Sequence, residues 1–96
     1  MADAKADLLN SVAQYVETLS KSRERTKRAE DRSAYTSHLA AAALIFQFIV
    51  QSDLASVREL LLAEQQAYGR SFLDGEAGQA AEAAFARLVQ SFERPN

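Results

Sequence analysis

A chain of 96 residues, 48% hydrophobic and 25% charged with a formal net charge of −2, has the composition of a folded protein. It contains no cysteine and one histidine, which excludes disulfides, thiolate metal sites and multi-histidine sites. At this length a single helical domain over residues 1–96 is expected, with no metal and no cofactor.

The first glycine is Gly69 and the only proline is Pro95. The strongest breakers of regular structure are thus absent from two thirds of the chain, while alanine, the best helix former, stands at 19 positions. The opening MADAKADLLN has neither the basic nor the apolar region of a signal peptide. The most apolar stretch, LAAAALIFQFIV at 39–50, is 12 residues long, short of the ~20 needed to span a bilayer. A cytoplasmic location without membrane association is expected.

Leu8, Leu9, Val12, Tyr15, Val16 and Leu19 recur at three- and four-residue spacing and mark one face of a first helix. The run KSRERTKRAEDR at 21–32 then holds six of the eleven basic residues. Glu17 and Lys21, Glu24 and Arg28, and Lys27 and Asp31 are each four apart, which supports helix. This spacing predicts that the first helix continues through the run. Lys21, Arg25, Arg28 and Arg32 would share one face, beside a stripe of small residues at Ser22, Thr26, Ala29 and Ser33. A helix of about 28 residues would be ~42 Å long and would project beyond its neighbours.

A second stripe, Tyr35, Leu39, Ala42, Phe46, Ile49 and Val50, is widened by Leu44, Ile45 and Phe48 into the most apolar helix. Ser52 and Asp53 are good N-caps, and Ser56 with Glu59 fits a capping box. Leu54, Val57, Leu60, Leu61 and Tyr68 form the inner face of a third helix that ends at Gly69 as a left-handed C-cap. A loop follows at 70–78. A fourth helix runs from about Glu76 to Glu93, with Ala81, Phe85, Leu88, Val89 and Phe92 inward. The fold class is all-α: an antiparallel four-helix bundle with a long first helix.

Charge is unevenly distributed. Residues 20–38 carry six bases and three acids, net +3, and residues 52–96 carry four bases and seven acids, net −3. A basic run is first of all a solvated helix face, but this asymmetry also suits association with an acidic surface. Lys21, Arg25, Arg28 and Arg32 are candidate partner-binding residues. Arg70 and Phe72 of the YGRSF stretch join them, because loops carry binding groups more often than helices do. The expected function is that of a small helical protein-interaction module, an accessory, adaptor or regulatory protein. It is not expected to be an enzyme. Its expected partner is another protein or a second copy, with a homodimer favoured by the surplus of apolar helix surface.

Two alternatives come from the same residues. Clustered arginine and lysine on a helix is the footprint of a nucleic-acid-binding regulator, although the acidic net charge and the lack of aromatics inside 21–32 argue against nucleic acid as the partner. Arg32 and His38 form R-x5-H, which resembles the R-x(4–6)-H motif of the HEPN superfamily of helical nucleases and binding proteins. That resemblance implies a small enzyme using Arg32 and His38, dimerised across the motif.

Overall fold

Four stripes with alternating three- and four-residue spacing build the molecule. The computed structural model describes residues 4–70, 73 and 75–93, of which 92% are helical. Helix α1 spans Ala4–Arg25, α2 Ala29–Val50, α3 Leu54–Arg70 and α4 Gly75–Glu93. No strand occurs among the described residues.

The buried positions are Leu8, Val12, Tyr15, Leu19 and Ser22 on α1, and Tyr35, His38, Ala42, Ile45 and Ile49 on α2. On α3 they are Val57, Leu61 and Glu64, and on α4 Gly78, Ala81, Ala84, Phe85 and Leu88. A repeat near 3.5 residues keeps one narrow seam of each helix facing its neighbours, as in coiled-coil packing. Lys5 Nζ donates to the carbonyl of Val50 at 2.9 Å, so the start of α1 meets the end of α2. Ser11 and Ser91 hydroxyls lie 2.7 Å apart, and Ser22 Oγ donates to the Ala77 carbonyl at 2.9 Å, so α4 runs against α1. The bundle is antiparallel, up-down-up-down. Close backbone packing joins α1 to α2, α1 to α4 and α2 to α3. The α3–α4 seam shows no comparable closure.

The first helix is long, at 22 residues, but it does not continue through the basic run. It ends at Arg25, and α2 begins at Ala29 after a break in which Arg28 is extended, with φ −83° and ψ 128°. The run therefore straddles a hairpin between two helices of equal length, and no arm projects. The cause is tertiary. The α1 and α2 stripes can bury each other only if the chain reverses between Ser22 and Tyr35, and that stretch offers too little apolar area to hold a straight helix. Of the pairs expected there, Lys21 meets Glu17 at 3.0 Å.

The α2–α3 turn is built by capping without glycine. Ser52 N–H donates to the Ile49 carbonyl and Asp53 N–H to the Phe48 carbonyl, each at 2.9 Å. These are the two bonds of a Schellman motif, with Ser52 at φ 61° where glycine is usual. Asp53 Oδ1 then accepts from the Ser56 N–H at 3.2 Å and caps α3, as its sequence position suggested. At the other end of α3 the expectation is corrected. Gly69 lies inside the last turn, the helix runs to Arg70, and the positive φ, 79°, falls on Gly75 at the start of α4.

The α2 stripe is also turned relative to the expected one. His38 and Ile45 occupy the core, Leu39 and Phe48 pack at its edge, and Phe46 and Val50 remain half exposed. On α3, Leu54 is outside and Glu64 inside. The pairing of His38 with Glu64 accounts for these two polar residues lying on the inner faces of α2 and α3.

Candidate functional site

Two features stand out, a polar cluster in the core and a groove above it. In the cluster, His38 Nδ1 and Glu64 Oε2 lie 2.7 Å apart, Tyr15 Oη donates to Glu64 Oε2 at 3.2 Å, and the Tyr15 and Tyr68 hydroxyls are 2.5 Å apart. The Tyr68 ring stacks on His38, with centroids 4.2 Å apart and planes within 5°. Phe85 closes the far side, 5.0 Å from Tyr68 and 5.5 Å from Tyr15. Three helices thus supply one network with every buried polar atom among the described residues satisfied, the condition under which a buried polar group adds specificity rather than strain. His38 is only 3% exposed, so a substrate has no approach to its ring.

Burial pushes the Tyr15 hydroxyl far above its ordinary value near 10, and the neighbouring Tyr68 and Glu64 push it further. Burial likewise raises Tyr68, outweighing its hydrogen bond with Tyr15, which acts in the opposite sense. Burial raises Tyr35 as well. These groups stay neutral in the folded state when the unfolded chain would ionise. Their contribution to stability is therefore complete below pH ~10 and is lost as pH rises above that value. In an alkaline titration, phenolate absorbance should appear together with loss of helical circular dichroism. Three tyrosines ionising while helicity holds would contradict this network.

The groove follows from the open α3–α4 seam. At the α2–α3-turn end a cavity of ≈ 350 Å³ is walled by Leu8, Ile49, Leu54, Arg58 and Phe92. A second, of ≈ 380 Å³, shares Arg58 and Phe92 and adds Leu61, Leu62, Gln65 and Val89. A third, of ≈ 470 Å³, shares Gln65 and Val89 and reaches Tyr68, Gly69, Glu82 and Phe85. The three cavities lie in a row between Leu54 and Gly69, a span of about 22 Å at 1.5 Å per residue, with Arg58 and Phe92 standing between the first and the second. Leu54 and Leu62 on its α3 rim are 52% and 53% exposed. Arg58 lies over the Phe92 ring, 6.0 Å from its centroid. Tyr68 belongs both to the groove floor and to the buried cluster.

The residues expected to bind a partner take different places. Lys21 and Arg25 lie near the end of α1, Arg28 in the turn, Arg32 early in α2 and Arg70 at the end of α3; all are exposed. The antiparallel topology gathers them at one end of the bundle, but not on one helix face. Phe72 lies outside the described residues. Arg32 and His38 are six residues apart on α2, about 240° around the helix, with one exposed and the other buried. Within one chain the R-x5-H pair is not brought together. Among the described residues no group of three acidic or histidine side chains could hold a metal ion.

Sequence reasoning missed Glu64 and the groove. The signal for Glu64 was present: positions 57, 61, 64 and 68 continue the α3 stripe, so its carboxylate falls on the core face. By length and composition α2 is the one helix among the described residues that could cross a membrane. In the bundle Leu44, Phe46 and Val50 of this helix are about half exposed, Leu44 on one flank and Phe46 with Val50 on the other. No protein-family model matches the chain, and comparison with curated proteins and with solved structures gives no match.

Proposed function

We propose that the protein is a small helical protein-interaction module, an accessory or regulatory protein whose α3–α4 groove receives an amphipathic helix. The observation that carries this reading is the row of cavities along the α3–α4 side, lined by Leu62, Tyr68, Phe85, Val89 and Phe92. Its length accommodates about 15 residues of helix, and an apolar groove takes such a helix through anchors at three- and four-residue spacing. Glu82 and Glu93 border the groove on α4 and Arg58 borders it on α3, so the fitting helix is apolar on one face and carries a basic residue opposite Glu82 at its flank. The buried cluster supports the floor from beneath by fixing Tyr68.

A labelled synthetic helix of about 15 residues, with leucines on one face and lysines on the other, tests this by fluorescence anisotropy. Binding is expected at micromolar concentrations. Leu62→Lys with Val89→Lys should weaken it at least ~tenfold, equivalent to ~1.4 kcal/mol, with helicity unchanged. Absence of binding at tens of micromolar would overturn the reading. Retention of the protein on generic DNA that falls steeply between about 50 and 200 mM salt would support a nucleic-acid regulator working through the basic hairpin instead.

A further inference from the structure

We infer that the cavity at the α2–α3-turn end binds a small carboxylic acid with an apolar tail, a binding activity beyond the groove reading above. This cavity differs from the other two in the row. Those are walled by α3 and α4 alone. Its own walls come from all four helices: Leu8 of α1, Ile49 of α2, Leu54 and Arg58 of α3, and Ser91 and Phe92 of α4. It reaches the core, where Leu8 and Ile49 are 7% and 1% exposed, and its rim carries the exposed residues Lys5, Ser52, Leu54 and Arg58. A concave, mostly apolar pocket with a few polar groups is the usual form of a small-molecule site.

The chemistry of the walls selects the ligand. At ≈ 350 Å³ and roughly 30 Å³ per water-sized atom, there is room for about ten to twelve non-hydrogen atoms. Leu8, Ile49 and Phe92 present apolar surface that suits a hydrocarbon tail. The head is set by the rim. Arg58 is exposed, stands 6.0 Å from the centroid of the Phe92 ring and forms no ion pair among the described residues. A guanidinium takes a carboxylate through two parallel N–H bonds. Lys5 is fixed at the same rim by its bonds to the Val50 carbonyl and the Ser52 hydroxyl. Having accepted from Lys5, the Ser52 hydroxyl keeps its own proton to donate. Among the described residues no acid lines this cavity. Asp53, next to the rim in sequence, has both carboxylate oxygens on Ser56, and Glu93 lines the neighbouring cavity that shares Arg58. An anionic head therefore meets Arg58 and a hydroxyl, whereas an amine head would meet two cations.

Octanoate, an acid of that size, is the probe, with octanol as the tail without the charge and acetate as the head without the tail. Titrations followed by methyl chemical shifts should show saturable octanoate binding in the submillimolar range. Leu8, Ile49 and Leu54 should shift, and Leu62 and Val89 should not. Octanol should bind at least ~tenfold more weakly, and acetate not at all. Arg58→Gln should bring octanoate down to the level of octanol and leave octanol unchanged, because it removes the charge and little of the wall. Leu54→Trp, at a position 52% exposed, should fill the mouth and abolish both, with helical circular dichroism retained. The inference is overturned by octanoate that fails to saturate by about 5 mM, by octanol that binds as tightly as octanoate, or by an Arg58→Gln variant that binds octanoate as the native chain does. Octanoate shifts that extend to Leu62 and Val89 would also overturn it, because they would show the acid coating the whole row as a detergent does.

Discussion

His38→Leu alone should cost the bundle about 3–5 kcal/mol, and His38→Leu together with Glu64→Leu should cost much less than either single change. Both side chains are almost wholly buried, and their contact is 2.7 Å. Removing Glu64 leaves the buried His38 Nδ1 without its partner, and removing His38 leaves the Glu64 carboxylate away from water with the Tyr15 hydroxyl as its remaining bond, which is the expensive event. Removing both leaves an apolar contact, and Tyr15 keeps its bond to Tyr68. The residual cost is the lost stacking on Tyr68, worth ~0.5–1.5 kcal/mol. For a chain of this length total stability is on the order of 5–14 kcal/mol, so the single change removes a large share of it. Each kcal/mol shifts the midpoint by roughly 4–8 °C. Thermal unfolding of the two singles and the double measures the coupling, and additive losses would show that the pair is not a unit.

Gly78→Ala is expected to destabilise although alanine is the better helix former by ~1 kcal/mol. Gly78 is buried on α4, and a Cβ there would fall inside contact distance of the Leu73 carbonyl and 2.9 Å from Leu73 Cβ. The obstacle includes backbone, which cannot swing aside as a side chain would. Overpacking of this kind costs about 1–3 kcal/mol, more than the propensity gain at the upper end of that range. Gly69 is the control. It is exposed, helical, and has nothing within 4 Å of a built Cβ. Gly69→Ala should therefore raise stability by up to ~1 kcal/mol. Equal responses at the two glycines in denaturant titrations would refute the close approach of Leu73 to α4.

The contrast between these two glycines also shows what the sequence could reveal. Helices and their inward faces were readable because periodicity is a local property: Val12, Tyr15, Leu19, Phe85 and Leu88 are buried where their spacing places them. The Asp53 cap was readable for the same reason. The break at 26–28 was not, because Thr26, Lys27 and Arg28 carry no breaker and their neighbours favour helix. It exists because α1 and α2 bury each other. Gly69 looked like a terminator, yet termination falls later, and the glycine that packing requires is Gly78. The His38–Glu64 pair joins residues 26 positions apart, and the groove depends on how far α3 stands from α4. Both are properties of packing between helices, which no single stripe encodes.

Whether the α3–α4 seam is a binding groove is tested most directly by methyl chemical-shift mapping while the leucine–lysine helix is titrated in. Leu54, Leu62 and Val89 line the trough, whereas Leu9 and Val16 are partly buried on α1 and pack against the core. Shifts at the first three that saturate together, with Leu9 and Val16 unmoved, are the result predicted. Shifts spread evenly over all five, or none at Leu62 and Val89 at saturating peptide, would contradict it.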